Sequence, residues 1–509
     1  MYLGGVTAWG AWLGRGARGG EEYFLGRRDL PWLVVLLSVV ATETSTLTFL
    51  SIPGIAYGGS LAFLQIAAGY VLGRIAVAAW LLPAYQARRL RTAYELLEAR
   101  FGPETRRFTS AIFMITRLLA DSVRLFATAI PLTLVTGWPL ITSVLAIGAL
   151  TFIYTFIGGI RAVVWVDASQ MVLYVAGGLI ALVVLGQAVP GGWPDILARA
   201  AEAGKLTVID PALDFGRPYT LWAGLLGGAF LSMGSHGADQ LIVQRLLACR
   251  DLAASRRALI GSGVAVFFQF ALFLFVGLGL WAWYEGAAFA RSDEIFARFI
   301  VEALPAGVRG LLIACVFAAA MSTLSSSINA LSSTTAYDFW ARSRSRSRVG
   351  VGGRADAGAD AGADAGADAG ADAGADERAI LRVGRIAAAA WTVLLVAAAI
   401  GFIPLSEGNA AVEVSLGIAS LVYGGLLGAF ALARFSRRAT SGSVRLGIAV
   451  GIASVTAVWV FARAAVAWPW FVLIGAAVTV TVGLLACGPG VAGASPKKSR
   501  KTPEFPRIS

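Results

Sequence analysis

Apolar side chains run along this chain in blocks of roughly twenty residues, the length a helix needs to cross the hydrocarbon of a bilayer. Such blocks fall near 31–51, 60–84, 108–135, 138–158, 163–189 and 219–244, and again near 259–284, 308–338, 383–403, 411–433, 443–463 and 468–487. Residues 1–13 are a shorter apolar stretch without a basic n-region or a small-residue cleavage site. They read as a shortened first helix, as from a misplaced start codon, and not as a signal peptide. The pattern predicts an all-α polytopic membrane protein of about thirteen helices.

Two blocks are interrupted by polar residues at depth. The first reads PWLVVLLSVVATETSTLTFLSIPG, with four hydroxyls and Glu43 in its middle. The second reads GLLGGAFLSMGSHGADQLIVQR, with Gly227, Gly228, Gly234 and Gly237 around Ser232, Ser235 and His236. Each opens a set of five spans, 31–189 and 219–433. Interruptions at corresponding places in two halves point to an inverted-repeat secondary transporter, whose unwound carbonyls and half-helix ends bind ion and solute near the midplane. Glycine and serine that merely let helices pack closely are the plainer alternative.

A third polar pattern lies in ACVFAAAMSTLSSSINALSSTTAYDFW. Ser322, Ser325, Ser326, Asn329 and Ser333 recur at i, i+3, i+4, i+7 and i+11, one face of a helix. Turned toward a partner, that face offers hard neutral oxygens, the ligand type that suits a small alkali cation. Asp167 stands at depth in RAVVWVDASQMVLYVAGG with no basic residue near it in its own helix. A carboxylate there costs about 2.5–3.5 kcal/mol even on a lenient insertion scale, which marks a function. A cation held between Asp167 and the serine stripe offsets that cost; a carboxylate reaching water at a helix end is the alternative.

Composition agrees: the chain is 57% apolar and 14% charged, with a mean hydropathy of +0.73. The formal charge of +12 does not indicate nucleic acid, because the basic residues cluster in short loops. With the N-terminus outside, the loops 14–30, 85–107, 159–162, 245–258, 341–382 and 434–445, with the tail from 488, carry 32 of the 42 Lys+Arg once Arg385 at the membrane edge is included. This bias predicts a multi-pass protein of the plasma or inner membrane, N-terminus outside and C-terminus cytoplasmic. Cys249, Cys315 and Cys487 have no disulfide or metal spacing. No nucleophile–base pair, metal cluster or phosphate loop suggests an enzyme.

The organisation expected is a shortened first helix and cytoplasmic loop (1–30), a first five-helix repeat (31–189), an external loop (190–218), a second repeat (219–433), two further helices (434–487) and a cytoplasmic tail (488–509). Residues 342–377 interrupt the second repeat with RSRSRSR and a four-residue ADAG repeat lacking any large apolar side chain. That stretch reads as a disordered cytoplasmic linker. Its Asp356, Asp360, Asp364, Asp368, Asp372 and Asp376 have no closing glutamate or liganding loop for calcium.

Taken jointly, EEYFLGRRDLPW, SIPGIAYGG, TAYELLEARFG, FIGGIRAVVWVDASQ, DQLIVQRLLA and LPAGVRGLLIACVFAAAMSTLSSSINALSSTTAYD resemble the sodium/solute symporter family, which includes sodium/glucose, sodium/proline and sodium/sialic acid transporters. The resemblance spans nearly the whole chain outside the linker. It implies a leucine-transporter-type fold, five plus five inverted helices with flanking helices. It implies alternating-access symport of a small organic solute of sugar acid, carboxylate or amino acid type with sodium, without an obligate protein partner. It further implies a first sodium site made by the Ala41, Thr44 and Ala319 carbonyls with the Ser322 and Thr323 hydroxyls. The pattern for a second sodium, Asp167 with Ser325 and Ser326, is also present.

By the same resemblance the solute lies against Thr42, Glu43, Ser45 and Thr48 of the first broken helix, Arg117 of the third core helix, and the sixth from Ser232 to His236. Leu47 and Thr48 stand where the sugar transporters have a polar pair, which argues against a glucose-like solute. Arg117, Asp121 and Arg124 share a helix face at i, i+4 and i+7, so Arg117 either takes a solute carboxylate through its planar fork or belongs to a packing ladder. Glu43 either binds an amino group or pairs with an arginine such as Arg117. Proton coupling through Glu43 and His236, the single histidine, is the nearest rival reading. A membrane sensor with a symporter-like domain is a second, with little room for an output module after the last helix.

Overall fold

In hydrocarbon a backbone has no water to bond, so the apolar blocks must satisfy their own amides as helices. The computed structural model describes residues 2–44, 46–289, 292–341, 365–403 and 411–487. In chain order its helices are α1 (Tyr2–Leu13), α2 (Gly20–Leu25), α3 (Trp32–Glu43), α4 (Thr46–Gly58), α5 (Leu64–Ala87), α6 (Glu95–Phe101), α7 (Pro103–Thr136), α8 (Leu140–Ala188) and α9 (Gly192–Glu202). There follow α10 (Gly228–Met233), α11 (Gln240–Leu247), α12 (Leu252–Trp283), α13 (Ser292–Glu302), α14 (Ala306–Thr334), α15 (Ala365–Gly401), α16 (Ala411–Phe435), α17 (Ser441–Phe461) and α18 (Phe471–Leu485). Among the described residues, eight helices are long and apolar enough to cross a membrane, or nine if the bent pair α3–α4 is one span.

Both interruptions are present. The first block bends by 63° between α3 and α4. Thr44, at the end of α3, leaves helical geometry at φ −84°, ψ 87°. The second block enters as a π-helical turn (Ala223–Gly227), continues as α10, and loosens into another π-helical turn (Gly234–Ala238) before α11. Some of its glycines also serve packing. A Cβ on Gly69 of α5 would lie 2.1 Å from the Gly224 oxygen, and one on Gly73 would lie 2.3 Å from the Ala229 oxygen. These backbones therefore touch, the small-residue contact of membrane helices.

At the centre sits α14, packed against α8, α7, α3 and α15. Its stripe faces inward: Ser322, Ser325, Ser326, Asn329 and Ser333 are all buried. A second cluster, Phe49, Tyr174, Phe273 and Phe296, packs with ring centroids about 5 Å apart and ties α4, α8, α12 and α13.

Two sequence expectations change. The loop expected at 159–162 is a kink: α8 consists of two helices that meet at Gly159, where φ 55°, ψ −155° suits only glycine, so the spans 138–158 and 163–189 are both present. The disordered linker expected over 342–377 ends earlier, because α15 already begins at Ala365. Alanine is the best helix former, so the repeat can extend the span that follows it. Glu377 anchors this extension, accepting from the Glu21 amide at 2.8 Å and lying 3.4 Å from Arg91. Residues 342–364, with the first part of the repeat, lie outside the described residues.

A Cβ on Gly159 would stand 2.4 Å from the Tyr23 carbonyl oxygen. Gly159→Ala is therefore expected to destabilise by roughly 1–3 kcal/mol through backbone strain, seen as a lower melting midpoint in detergent. Gly442→Ala, where added atoms meet nothing within 4 Å, is the control that leaves the midpoint unchanged.

Candidate cation and solute site

A helix end leaves its last carbonyls without intrahelical donors. At the end of α3 the Ala41 carbonyl instead accepts from Ser322 Oγ at 3.0 Å. The same hydroxyl lies 3.1 Å from the Ala319 oxygen, which also accepts from Thr323 Oγ1 at 3.2 Å. Two carbonyls and two hydroxyls from α3 and α14 thus converge in a buried spot, without a formal charge among them. Each hydroxyl can turn its proton aside and offer a lone pair, so this oxygen set fits a small hard cation. Thr44 is held separately: its hydroxyl accepts from Gln269 Nε2 at 2.7 Å and lies 3.1 Å from Gln269 Oε1.

Beside the next turn of α14 stands Asp167 of α8, fully buried. Its Oδ2 accepts from Ser38 Oγ at 2.8 Å and pairs with the Arg245 guanidinium at 3.1 Å, with Thr42 Oγ1 at 3.5 Å. Ser326 accepts from the same guanidinium and lies 3.2 Å from Thr42 Oγ1. Ser325 and Ser326 both donate to the Ser322 carbonyl, at 3.1 and 2.5 Å. The counter-charge of Asp167 is therefore an arginine on α11, which corrects the picture of a carboxylate awaiting only a free cation.

The residues expected around solute form two groups. Glu43 pairs with Arg74, which is wholly buried on α5 and also donates to Ser262 at 2.7 Å. His236 Nε2 lies 3.6 Å from Glu43 Oε2, and its Nδ1 lies 2.8 Å from Ser235 Oγ. The two interruptions thus meet through Glu43 and His236. Arg117 is not the partner of Glu43. It bridges Asp239 at 2.9 Å, Asp121 at 3.4 Å and the Tyr423 hydroxyl, while Arg124 holds Asp121 at 3.2 Å. The Arg–Asp–Arg ladder is present, extended by Asp239 at the start of α11. Ser232 donates to the Tyr70 carbonyl at 3.0 Å, Thr42 to that of Ser38 at 2.7 Å, and Thr48 is half-buried on α4. Ser45 lies outside the described residues.

Arg74, Arg245, Asp239 and Ser38 were missed as members of these clusters. Arg74 had a signal, an arginine inside an apolar span with no acid nearby. Arg245 did not, since it closes its block and counts as a loop charge.

A family model described as "Sodium:solute symporter family" matches residues 23–349, well over half of the chain, and the chain belongs to that family. It is 31% identical over 328 residues to sodium-coupled monocarboxylate transporter 2 of Mus musculus, an alignment covering 63% of this chain and 53% of that one. The chain spans about half the length of such curated relatives. It is 27% identical over 498 residues to the sodium/sialic acid symporter NanT of Aliivibrio fischeri, covering 95% of this chain and 91% of that one. Among solved structures it superposes on a Na+-coupled sialic acid symporter, captured substrate-bound and outward-open, with a TM-score of 0.81, 26% identity and 96% coverage of each chain. The fold is the leucine-transporter type.

Arg74→Ala strands the Glu43 carboxylate in a low-dielectric site and is expected to cost on the order of 3–5 kcal/mol. The double variant Arg74→Ala with Glu43→Ala is expected to recover much of that loss. Melting midpoints of the four proteins in the cycle, measured in detergent, check the coupling.

Proposed function

We propose that this member of the sodium:solute symporter family couples inward movement of sodium to uptake of a small organic solute bearing a carboxylate. One observation carries the reading: Ala41 O, Ala319 O, Ser322 Oγ and Thr323 Oγ1 gather where the first broken helix meets α14. Sodium there ties α3 to α14. The ion is transported cargo, and only this chain's oxygens hold it.

In this reading the N-terminus is external, the C-terminus cytoplasmic, and α11 and α3 lie on the cytoplasmic side of the breaks. Sodium entering from outside fixes the α3–α14 geometry and thereby favours solute binding between the interruptions. The Glu43–His236 contact, Thr42, Thr48 and Ser232 form the solute wall. Arg117 supplies the cationic side of that wall, exchanging part of its contact with Asp239 for the carboxylate. The relatives named for monocarboxylate and for sialic acid share that acidic group, which supports the solute class. Each sodium that crosses the full field contributes about 2.3 kcal/mol per 100 mV, more than one decade of solute ratio at about 1.4 kcal/mol per decade.

Purified protein is expected to gain thermal stability from sodium, and further from the right member of a panel of small carboxylates when sodium is present. Ser322→Ala combined with Thr323→Ala is expected to remove the sodium response while leaving the protein folded. Undiminished sodium stabilisation in that variant refutes the site. Uptake that follows pH and ignores sodium assigns coupling to Glu43 and His236 instead.

A further inference from the structure

The serine stripe of α14 continues past the first cation site, and what meets it there is Arg245. Its side chain is 1% exposed and every nitrogen is engaged. Nε donates to Ser38 Oγ at 2.9 Å, Nη1 to the Leu241 carbonyl at 2.5 Å, and Nη2 to Asp167 Oδ2 at 3.1 Å and to Ser326. One guanidinium therefore touches α3, α8, α11 and α14. It holds Asp167 and Ser326, two of the three residues that would make a second sodium site.

Two features show that this spot offers more cation-binding capacity than one arginine uses. Asp167 Oδ1 is buried and has no hydrogen-bond partner. The stripe then goes on to Asn329, whose Oδ1 accepts from Gln244 Nε2 at 2.7 Å, and to Ser333; Gln244 Oε1 and Ser333 Oγ are likewise buried without a partner. Acceptor oxygens thus continue along one face of α14 beyond the guanidinium, toward the cytoplasmic end in the topology proposed above.

We propose that Arg245 is a tethered cation plugging the sodium exit path, occupying the place of a second ion at Asp167 until α11 withdraws. With the guanidinium docked, its charge cancels the pull of Asp167 on a second cation, so sodium leaving the first site advances along the stripe only as the guanidinium leaves it. Arg245 stands on the eight-residue α11, directly after the second interruption. Movement of that half-helix then releases the plug, and sodium cannot run inward while α11 is docked. This rests on the symport reading, but its failure is separable from failure of that reading.

The test uses full-length protein in sodium-free liposomes, with 22Na+ entry measured without solute. Arg245→Gln is expected to raise this solute-independent flux at least tenfold. Ser326→Ala, which keeps both charges and removes one anchor of the guanidinium, is expected to raise it by a smaller factor. As a second readout, Ser333→Cys is placed in a background lacking Cys249, Cys315 and Cys487. It is expected to react slowly with an impermeant thiol reagent on the cytoplasmic side, and at least tenfold faster once Arg245→Gln is added. If both variants melt as wild type does, and neither flux nor labelling rises, the plug is refuted. Should Arg245→Gln fail to fold, Ser326→Ala alone decides in the same way. Absence of sodium stabilisation in the wild type would instead sink the symport reading itself.

Discussion

A helix broken inside a bilayer must find donors for the carbonyls it frees, because lipid supplies none. This constraint governs the molecule. The α3–α4 break releases the Ala41 carbonyl, and a hydroxyl from α14 meets it. For that hydroxyl to be available, α14 must run beside the break, buried on every side, with a polar face that would be unfavourable against hydrocarbon. The serine stripe, the central position of α14 and its long contact with α8 all follow. The same convergence that stabilises the break supports the proposed cation site, since an oxygen cluster that can satisfy a carbonyl can also surround a small hard ion.

Charge is handled differently a few ångströms away. Each buried acid near the breaks has an arginine, from another helix for Glu43 (Arg74), Asp167 (Arg245) and Asp239 (Arg117), and from its own helix for Asp121 (Arg117). Such pairs are poor sources of net stability, because desolvation cancels much of the attraction, yet removal of one partner is severe. They fix which helices stay together. Glu43–Arg74 binds α3 to α5, whereas the Arg117 and Arg245 pairs fasten α11 to α7 and α8.

The breaks were legible in sequence because polar residues in an apolar run have no neutral explanation in lipid. The stripe on α14 was legible from its period, and Asp167 from its depth. Their partners were not. Asp167 and Arg245 are 78 residues apart and Glu43 and Arg74 31 apart, separations at which no local pattern reports a contact. Arg245 was hidden further because a charge that ends an apolar block looks like a topology signal, although the fold buries it. The helical start of α15 escaped for a different reason: a repeat with nothing to bury was read as lacking structure, while alanine needs no burial to favour a helix beside an anchored span.

The polar ties across the breaks are unequally distributed, and this inequality gives the site a direction. On the α11 side, α3 and α11 are joined to α7, α8 and α14 by Arg117–Asp239, Arg245–Asp167, Ser38–Asp167 and Gln244–Asn329. On the α4 side the aromatic cluster of Phe49, Tyr174, Phe273 and Phe296 packs α4 against α8, α12 and α13 and offers a cation one oxygen, the Tyr174 hydroxyl. Hydrogen-bonded ion pairs can be exchanged for an ion or water with little change in the number of bonds, whereas an aromatic contact can only be opened or closed. At an effective dielectric of about 20, a second unit positive charge 4 Å from the guanidinium is repelled by roughly 4 kcal/mol, which cancels an attraction of similar size from the Asp167 carboxylate. With that attraction cancelled, sodium gains nothing by settling at Asp167 while Arg245 is docked, and in the proposed scheme the carboxylate holds the ion only once the guanidinium has left. In that scheme the departure of the guanidinium depends on the movement of α11, and a route that opens only with that movement couples the ion to the conformational cycle.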